Sequence, residues 1–190
     1  MRLPLFLLLL LAGEIASAAD WKTLPGSSLG FTASFQGESF AGRFARFTPQ
    51  VRFDPAHLAD SRFDVGIDLA SADTHNQERD DLLRGSDFFN SRQRAQARFV
   101  ANRFRALGGN RFAADGVLML KGVSKPVSLV FSWAPGPKPV LTGEASLKRL
   151  DFAVGSGEWT DTELLPNEVK VKTRLLLAPA ATKAVVAASR

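Results

Sequence analysis

FAADGVLMLKGVSKPVSLVF, residues 112–131, is the stretch that decides the fold. It contains two apolar runs, Val117–Leu120 and Val127–Phe131, which are joined by Lys121–Lys125. Pro126 opens the second run. Because Gly, Ser and Pro between runs rich in β-branched and aromatic residues are typical of a turn between two strands, the stretch predicts a β-hairpin.

The alternation along this hairpin gives it one strongly apolar face. Leu129 and Phe131 share a face of the second strand, and Leu118 lies on the corresponding face of the first. Gly116, which lies within the first strand, predicts a bend where the sheet curves. We expect the apolar face to line the interior of a larger sheet, where it contacts either other side chains or a ligand.

Alternation of the same kind recurs on both sides of the hairpin. The step of three residues from Phe44 to Phe47 interrupts it and predicts a bulge or bend. Asn76–Ser86 has early acids and Gly85 near its end, which predicts the one short helix. Eight strands are predicted, over residues 29–35, 39–53, 61–70, 97–104, 112–120, 127–133, 140–149 and 169–177. An antiparallel sheet of about eight strands protects its edges best by closing, so we predict an all-β barrel.

The two ends of the chain do not share this pattern. An apolar run, Leu3–Ala12, is followed by Ala16-Ser17-Ala18, a small-x-small cleavage site. Residues 1–18 are therefore predicted to be a cleaved signal peptide, with an uncleaved membrane anchor as the alternative. The Ala-rich residues 179–190 are predicted to be a flexible tail, which leaves one domain over residues 19–178.

The composition narrows the classes of partner. The chain has fifteen Phe and three Trp but no Tyr, which favours an oily interior over a polar binding groove. The formal net charge is +5, but the basic residues are spread along the chain without a dense cluster. This favours solvated strand faces over a dedicated basic patch for nucleic acid or an anionic membrane surface.

A set of short motifs, in order along the chain, carries a resemblance to a known family. These are Trp21, Ser28-x-x-Phe31, Gly42-x-Phe44, Phe53-Asp54-Pro55, Asp73-Thr74, Arg79-Asp80-x-Leu82, Asp87-Phe88-Phe89, Phe99, Gly116-x-Leu118, Lys121–Val127 and Arg149-x-Asp151-Phe152. The chain resembles the YceI-like family of polyisoprenoid-binding proteins over nearly all of its length after the predicted signal peptide. The resemblance implies a lipocalin-like antiparallel barrel, exported to the bacterial periplasm, whose lumen holds a long isoprenoid chain.

Strand parity and the helix together give a set of candidate lipid-binding residues. The residues predicted to face the lumen are Phe31, Phe35, Phe40, Phe44, Phe53, Val65, Ile67, Phe99, Leu118, Leu129 and Phe131. Leu83, Phe88 and Phe89, on or after the helix, are predicted to cover the open end. The alternative is structural. Barrel interiors of this size are often filled by side chains, and the role of the three covering residues would then be limited to packing the helix against the barrel.

Arg149 shares a strand face with apolar residues and is predicted to point inward. A buried Arg must be paired, and Asp151, Asp73 or Asp80 could supply the carboxylate. We favour such a structural pair over a contact between Arg149 and a lipid head group.

Little in the sequence favours catalysis. The chain has two His, His57 and His75, both in predicted loops, and no Cys, which argues against a His/Cys metal site or a Cys nucleophile. Asp80 and Asp81 lie at the start of a predicted helix, where acids stabilise its dipole. We therefore predict no catalytic residue, no metal and no cofactor other than a bound lipid.

We predict a non-catalytic periplasmic carrier of an isoprenoid lipid, either a polyprenyl chain or an isoprenoid quinone. Gly155–Trp159 resembles a branch of the YceI-like family found fused to, or beside, membrane proteins of cytochrome b561 type. This resemblance implies the main alternative, an accessory module for a membrane cytochrome. An enzyme acting on a lipid or an amide is a third class, and a homodimer is a further predicted assembly.

Overall fold

The structure, a computed structural model, describes residues 19–180, so the predicted signal peptide and residues 181–190 of the predicted tail lie outside the described residues. The described chain forms a single sheet in which every strand pairs antiparallel with its neighbours. Its strands are β1 (Asp20–Thr23), β2 (Ser28–Phe35), β3 (Glu38–Phe44), β4 (Phe47–Arg52), β5 (Arg62–Asp68), β6 (Ala72–Asp73), β7 (Gln96–Gly108), β8 (Arg111–Leu120), β9 (Val123–Ala134), β10 (Val140–Lys148) and β11 (Glu168–Pro179).

The sheet closes into a barrel because β1 pairs with both β4 and β11. β1 and β2 both pair with β11 and are two parts of one barrel strand. In the same way β3 continues into β4, and β5 continues into β6, since β6 pairs with β3 and β5 with β4. Eight strands in chain order therefore surround one interior, which confirms the predicted all-β, lipocalin-like barrel.

The hairpin of residues 112–131 is present as β8 and β9, with a shorter turn than predicted. Lys121 and Gly122 alone form the loop, with φ of 53° and 84°, as two-residue hairpin loops require. β9 consequently begins at Val123 and contains Pro126. Pro126 is tolerated because β9 pairs with β10 only from Val130 onwards, so this half of β9 has a neighbour on one side only.

Two predicted irregularities of the wall are confirmed. β3 ends at Phe44 and β4 begins at Phe47, and the break between them is held by Ala45 N, which donates to the Ser71 carbonyl at 3.0 Å. Gly116 lies opposite Ala101, where the register of β7 and β8 shifts. A Cβ on Gly116 would lie 2.8 Å from the Ala101 Cα, so a larger residue would separate the strands there.

Two connections cover one end of the barrel. The first contains α1 (Gln77–Arg84), which lies within the predicted helix and is capped by Asn76 Oδ1, an acceptor for Arg79 N at 2.9 Å. The second joins β10 to β11 and contains two 3₁₀ helices, Arg149–Phe152 and Gly157–Thr160.

Within residues 19–180, no helix has the length and apolar character needed to cross a membrane.

The last strand is longer than predicted. β11 extends to Pro179, which pairs with Trp21, and Ala180 N donates to the Asp20 carbonyl at 2.9 Å. Pro179, predicted to belong to the tail, is therefore part of the sheet, and Ala180 is hydrogen-bonded to it.

The end of the barrel opposite α1 is filled by aromatic side chains, which we call the aromatic plug. Phe53, which is 0% exposed, is its centre. Its ring centroid lies 4.9–6.1 Å from those of five other rings. These belong to Phe63, Phe104, Phe112, Phe131 and Trp133. Edge-to-face and tilted pairs at these distances stabilise a core beyond the burial of apolar area.

Replacing Phe53 by Ala should lower the free energy of unfolding by about 3–5 kcal/mol, because it leaves a cavity among packed rings. Val117→Ala is the control, since Val117 is 49% exposed on the outer wall and its truncation should change stability by less than about 0.5 kcal/mol. Denaturant unfolding of both variants measures the difference. Equal stabilities would contradict the aromatic plug as the packed end.

Asp64 should make stability depend on pH. Hydrogen bonds from Arg98, at 2.7 Å, and Arg62, at 3.2 Å, hold the pKa of the Asp64 carboxyl below its ordinary value of 3.8. The unfolded chain therefore binds this proton more tightly, and the stabilisation is present above pH 3.8 and lost as pH falls through the folded pKa. Asp64→Asn should destabilise the protein at pH 7 and flatten its loss of stability below pH 3.8, as followed by denaturant unfolding. If Asp64→Asn loses stability below pH 3.8 as steeply as wild type does, this assignment is contradicted.

Candidate functional site: an apolar cavity under the helix

The interior next to α1 is hollow. This cavity has a volume of about 190 Å³. It is lined by the inward faces of the strands towards the α1 end of the barrel and by the two covering connections. Of the 32 described residues that line it, only Arg149 and Thr173 have polar side chains. The cavity therefore suits a hydrocarbon chain better than a polar ligand.

Most of the predicted lipid-binding residues lie on the cavity wall. They come from six strands, from α1 and from the segment that follows it. The predicted residues that line the cavity are Phe31, Phe40, Phe44, Val65, Ile67, Leu83, Phe88, Phe89, Phe99, Leu118 and Leu129. The structure thus brings together residues that are up to 98 positions apart in the chain, from Phe31 to Leu129.

Three predicted lipid-binding residues lie elsewhere. Phe53 and Phe131 point into the barrel but belong to the aromatic plug, where their rings are 5.2 Å apart and leave no space for a ligand. Phe35 packs under the second connection, with its ring 6.0 Å from Trp159. Strand parity predicts which side of the wall a residue faces but not how far along the barrel it lies, which is why it does not separate these three from the others.

Apart from further residues on strands or turns that the prediction already includes, such as Leu29, Phe47 and Phe63, two groups of cavity residues are absent from it. One group lies on the inward faces of β10 and β11. The alternation already predicted for these two strands would have indicated that these residues face the interior. It includes Leu141, Ala145, Leu147, Val169, Val171 and Leu175. The other group, Phe152, Val154 and Leu165, lies in the second connection, whose sequence has no period that would have indicated it.

Arg149 is buried, as predicted, with 4% of its surface exposed, but its partners are not carboxylates. Its guanidinium donates to four backbone carbonyls at 2.6–3.2 Å, those of Val154, Gly155, Leu165 and Pro166. Burial lowers the pKa of this guanidinium. Since these bonds tie both halves of the second connection to the end of β10, Arg149 holds the cover of the cavity in place.

The predicted acidic partners of Arg149 have other roles. Asp73 binds Arg43 at 2.8 Å on the outer wall, and Asp151 is exposed. Asp80 is 6% exposed, and one of its oxygens accepts bonds from the backbone N and the hydroxyl of Thr74, at 2.8 and 2.6 Å. The predicted Arg–Asp pair is therefore wrong, because the unpaired carbonyls of an irregular connection satisfy the buried Arg instead.

The two connections are also bonded to each other. The Asp87 carbonyl, just after α1, accepts from Gly155 N at 2.7 Å and from Ser156 N at 3.0 Å. Lys121 Nζ, in the β8–β9 turn, reaches the same carbonyl at 3.1 Å and the Ala153 carbonyl at 2.7 Å. Burial lowers the pKa of the Lys121 ammonium. The cover is thus fastened on one side of the barrel mouth.

Within residues 19–180, no group of three His, Asp or Glu side chains could hold a metal ion.

The family is decided by comparison with known domains. The family model for the YceI-like domain matches residues 22–177, which is almost the whole barrel. The chain belongs to the YceI-like family. Among its relatives, a UPF0312 protein of Vibrio campbellii is 30% identical over 155 residues, covering 76% of this chain and 82% of that protein. A UPF0312 protein of Photorhabdus laumondii is 36% identical over 125 residues, covering 64% of this chain and 65% of that protein.

Solved structures share the barrel of this YceI-like chain. BcnA of Burkholderia cenocepacia is 32% identical, with a TM-score of 0.76 over 79% of this chain and 95% of BcnA. A polyisoprenoid binding domain from Saccharophagus degradans, implicated in plant cell wall breakdown, has a TM-score of 0.63. It covers 87% of this chain and 100% of that domain, and at 16% identity its likeness shows the fold alone.

Arg149→Met should destabilise this YceI-like barrel by about 3 kcal/mol or more, because four carbonyls lose their donor and each unsatisfied buried group costs about 1–3 kcal/mol. Arg174→Met, at an exposed position on β11, is the control and should stay within about 0.5 kcal/mol of wild type. Thermal and denaturant unfolding compare the two. A stable, folded Arg149→Met protein would show that the carbonyl cluster is not needed to close the cover.

Proposed function

We propose that this YceI-like chain binds the tail of an isoprenoid lipid in the cavity and carries or sequesters it without changing it chemically. The observation that carries the proposal is the cavity wall, which is apolar at all but two of its described positions. The shared fold of a domain described as polyisoprenoid binding supports it. The packed aromatic plug closes the far end, so the site is a blind pocket that takes the tail end-on.

The polarity of the wall matters because the competing solvent is a membrane. Each CH₂ that leaves water contributes about 0.8 kcal/mol, but a chain that leaves a bilayer gains almost nothing. A carrier can therefore extract such a lipid only if its lumen is about as apolar as the bilayer interior. The one charged side chain on this wall, Arg149, has its donors directed to backbone carbonyls, so the lumen meets that condition.

The proposal includes a location and the absence of chemistry. Residues 1–18 have the pattern of a signal peptide, from which we infer export to the periplasm. The ligand is held by apolar contacts, and the one buried acid among the described residues, Asp80, is engaged by Thr74. The membrane cytochrome and the homodimer stay predictions.

Val65→Phe should lower the affinity for geranylgeraniol by about tenfold or more, because the added ring occupies part of a cavity of about 190 Å³. Val117→Phe is the matched control: it makes the same substitution on the outer wall, where Val117 is 49% exposed, and should leave affinity unchanged. Fluorescence titration of the full chain measures both.

The same titration can refute the proposal. If both variants bind geranylgeraniol as tightly as wild type, the ligand does not lie in the cavity. If the wild-type protein does not bind it, or releases it chemically altered, the carrier function is wrong.

A further inference from the structure

The barrel wall is not paired along its whole height between β9 and β10. These two strands pair only over residues 130–134 of β9 and 140–144 of β10. Towards α1, β9 stays paired with β8, and β10 with β11, over the whole remaining length of each strand. Within residues 19–180, no backbone pair joins β9 to β10 in this part of the wall. We call the unpaired length, residues 123–129 of β9 and 145–148 of β10, the seam.

The sequence of β9 keeps the seam from closing. If the register of the paired part continued, Lys148 would lie opposite Pro126. Pro has no N–H to donate, so a complete ladder of hydrogen bonds cannot form there. At the cover end, the 3₁₀ helix Arg149–Phe152 lies against β9, and at the other end the paired part begins at Val130. The seam is therefore a bounded gap in the wall and not a frayed strand end.

Both lips of the seam belong to the cavity wall. Val127 and Leu129 line the cavity from β9, and Ala145 and Leu147 line it from β10. All four side chains are apolar, so a hydrocarbon chain between the strands keeps apolar contacts along its path. A passage between the lips leads directly into the cavity.

Solvent reaches the inward face of β9 at the seam. Lys125 lies directly opposite Leu118, so the two side chains start from the same face of the sheet. Leu118 lines the cavity and is 7% exposed, whereas Lys125 is exposed. The inward face of β9 is therefore open to solvent at this height.

The cover is a more strongly bonded part of the enclosure than the seam. Arg149 donates four hydrogen bonds to carbonyls of the second connection. Lys121 Nζ donates to the carbonyls of Asp87 and Ala153, on both connections. Displacing the cover would break these bonds and leave buried polar groups unsatisfied. Separating the lips of the seam breaks no backbone pair, so it is the easier way to open the cavity.

We propose that the seam between β9 and β10 is the portal through which an isoprenoid tail enters and leaves the cavity, tip first, while the cover stays closed. This inference rests on the proposed function, since it assigns a route to the lipid that the cavity binds. The lips separate by bending of β9 and β10, and each strand keeps its other neighbour as the tail passes.

The test links the two lips covalently. The chain has no Cys, so an introduced pair of thiols can be linked selectively with bismaleimidoethane. Pro126→Cys/Lys148→Cys places one thiol at an exposed position on each lip. The link should slow both association and dissociation of geranylgeraniol by about tenfold or more, relative to the same variant without the link, because the lips can no longer separate. The affinity should change little, since both rates fall together. Stopped-flow fluorescence of the full chain measures the rates.

Two further links are the matched controls. Ser132→Cys/Thr142→Cys carries the same link across the paired part of the same two strands, where the residues lie opposite each other. Asp87→Cys/Ser156→Cys ties the two covering connections together, at positions where they are already bonded. Neither link should change the rates.

A second seam pair, Ser128→Cys/Ser146→Cys, repeats the test if the first variant does not fold, and it should be slowed in the same way. Equal rates with and without the link at the seam would overturn the portal and leave the lipid-binding function intact. A slowing by the cover link as large as that by the seam link would do the same. Failure of geranylgeraniol to bind wild type would overturn both.

Discussion

The structure depends on how the interior of an eight-stranded barrel is divided. Such a barrel is just wide enough for side chains to fill it, so any hollow requires stabilisation from elsewhere. Here the rings around Phe53 pack one end, and the strands are held together from that end. The other end can then keep a cavity of about 190 Å³ without losing the fold. Stability and binding are thus assigned to opposite ends of the same eight strands.

The cover of the cavity is built from irregular chain, which must satisfy its own backbone groups. Arg149 does so for the second connection by donating to four carbonyls, and the Asp87 carbonyl joins that connection to the segment after α1. A hydrophobic residue in place of Arg149 would match the apolar wall but would leave these carbonyls without donors. The one charged side chain on the wall is therefore structural.

The sequence predicts the wall well and the cover poorly. Alternation is a local signal, so it finds the strands, the bend at Phe44–Phe47 and eight residues of the cavity wall, and the helix pattern adds three more. It carries no information on depth along the barrel, and Phe53 and Phe131 are for that reason predicted as ligand contacts although they belong to the plug. The partners of Arg149 are backbone atoms, which no side-chain pattern can indicate.

The central claim is that an isoprenoid tail occupies the hollow end of the barrel. Mass spectrometry of the lipids extracted from the purified, folded protein tests it most directly, with protein expressed in a bacterium that makes isoprenoid lipids. The account predicts that an isoprenoid lipid is recovered, in an amount comparable to the protein. Folded protein that yields no lipid, or that yields only lipids without an isoprenoid tail, would contradict it.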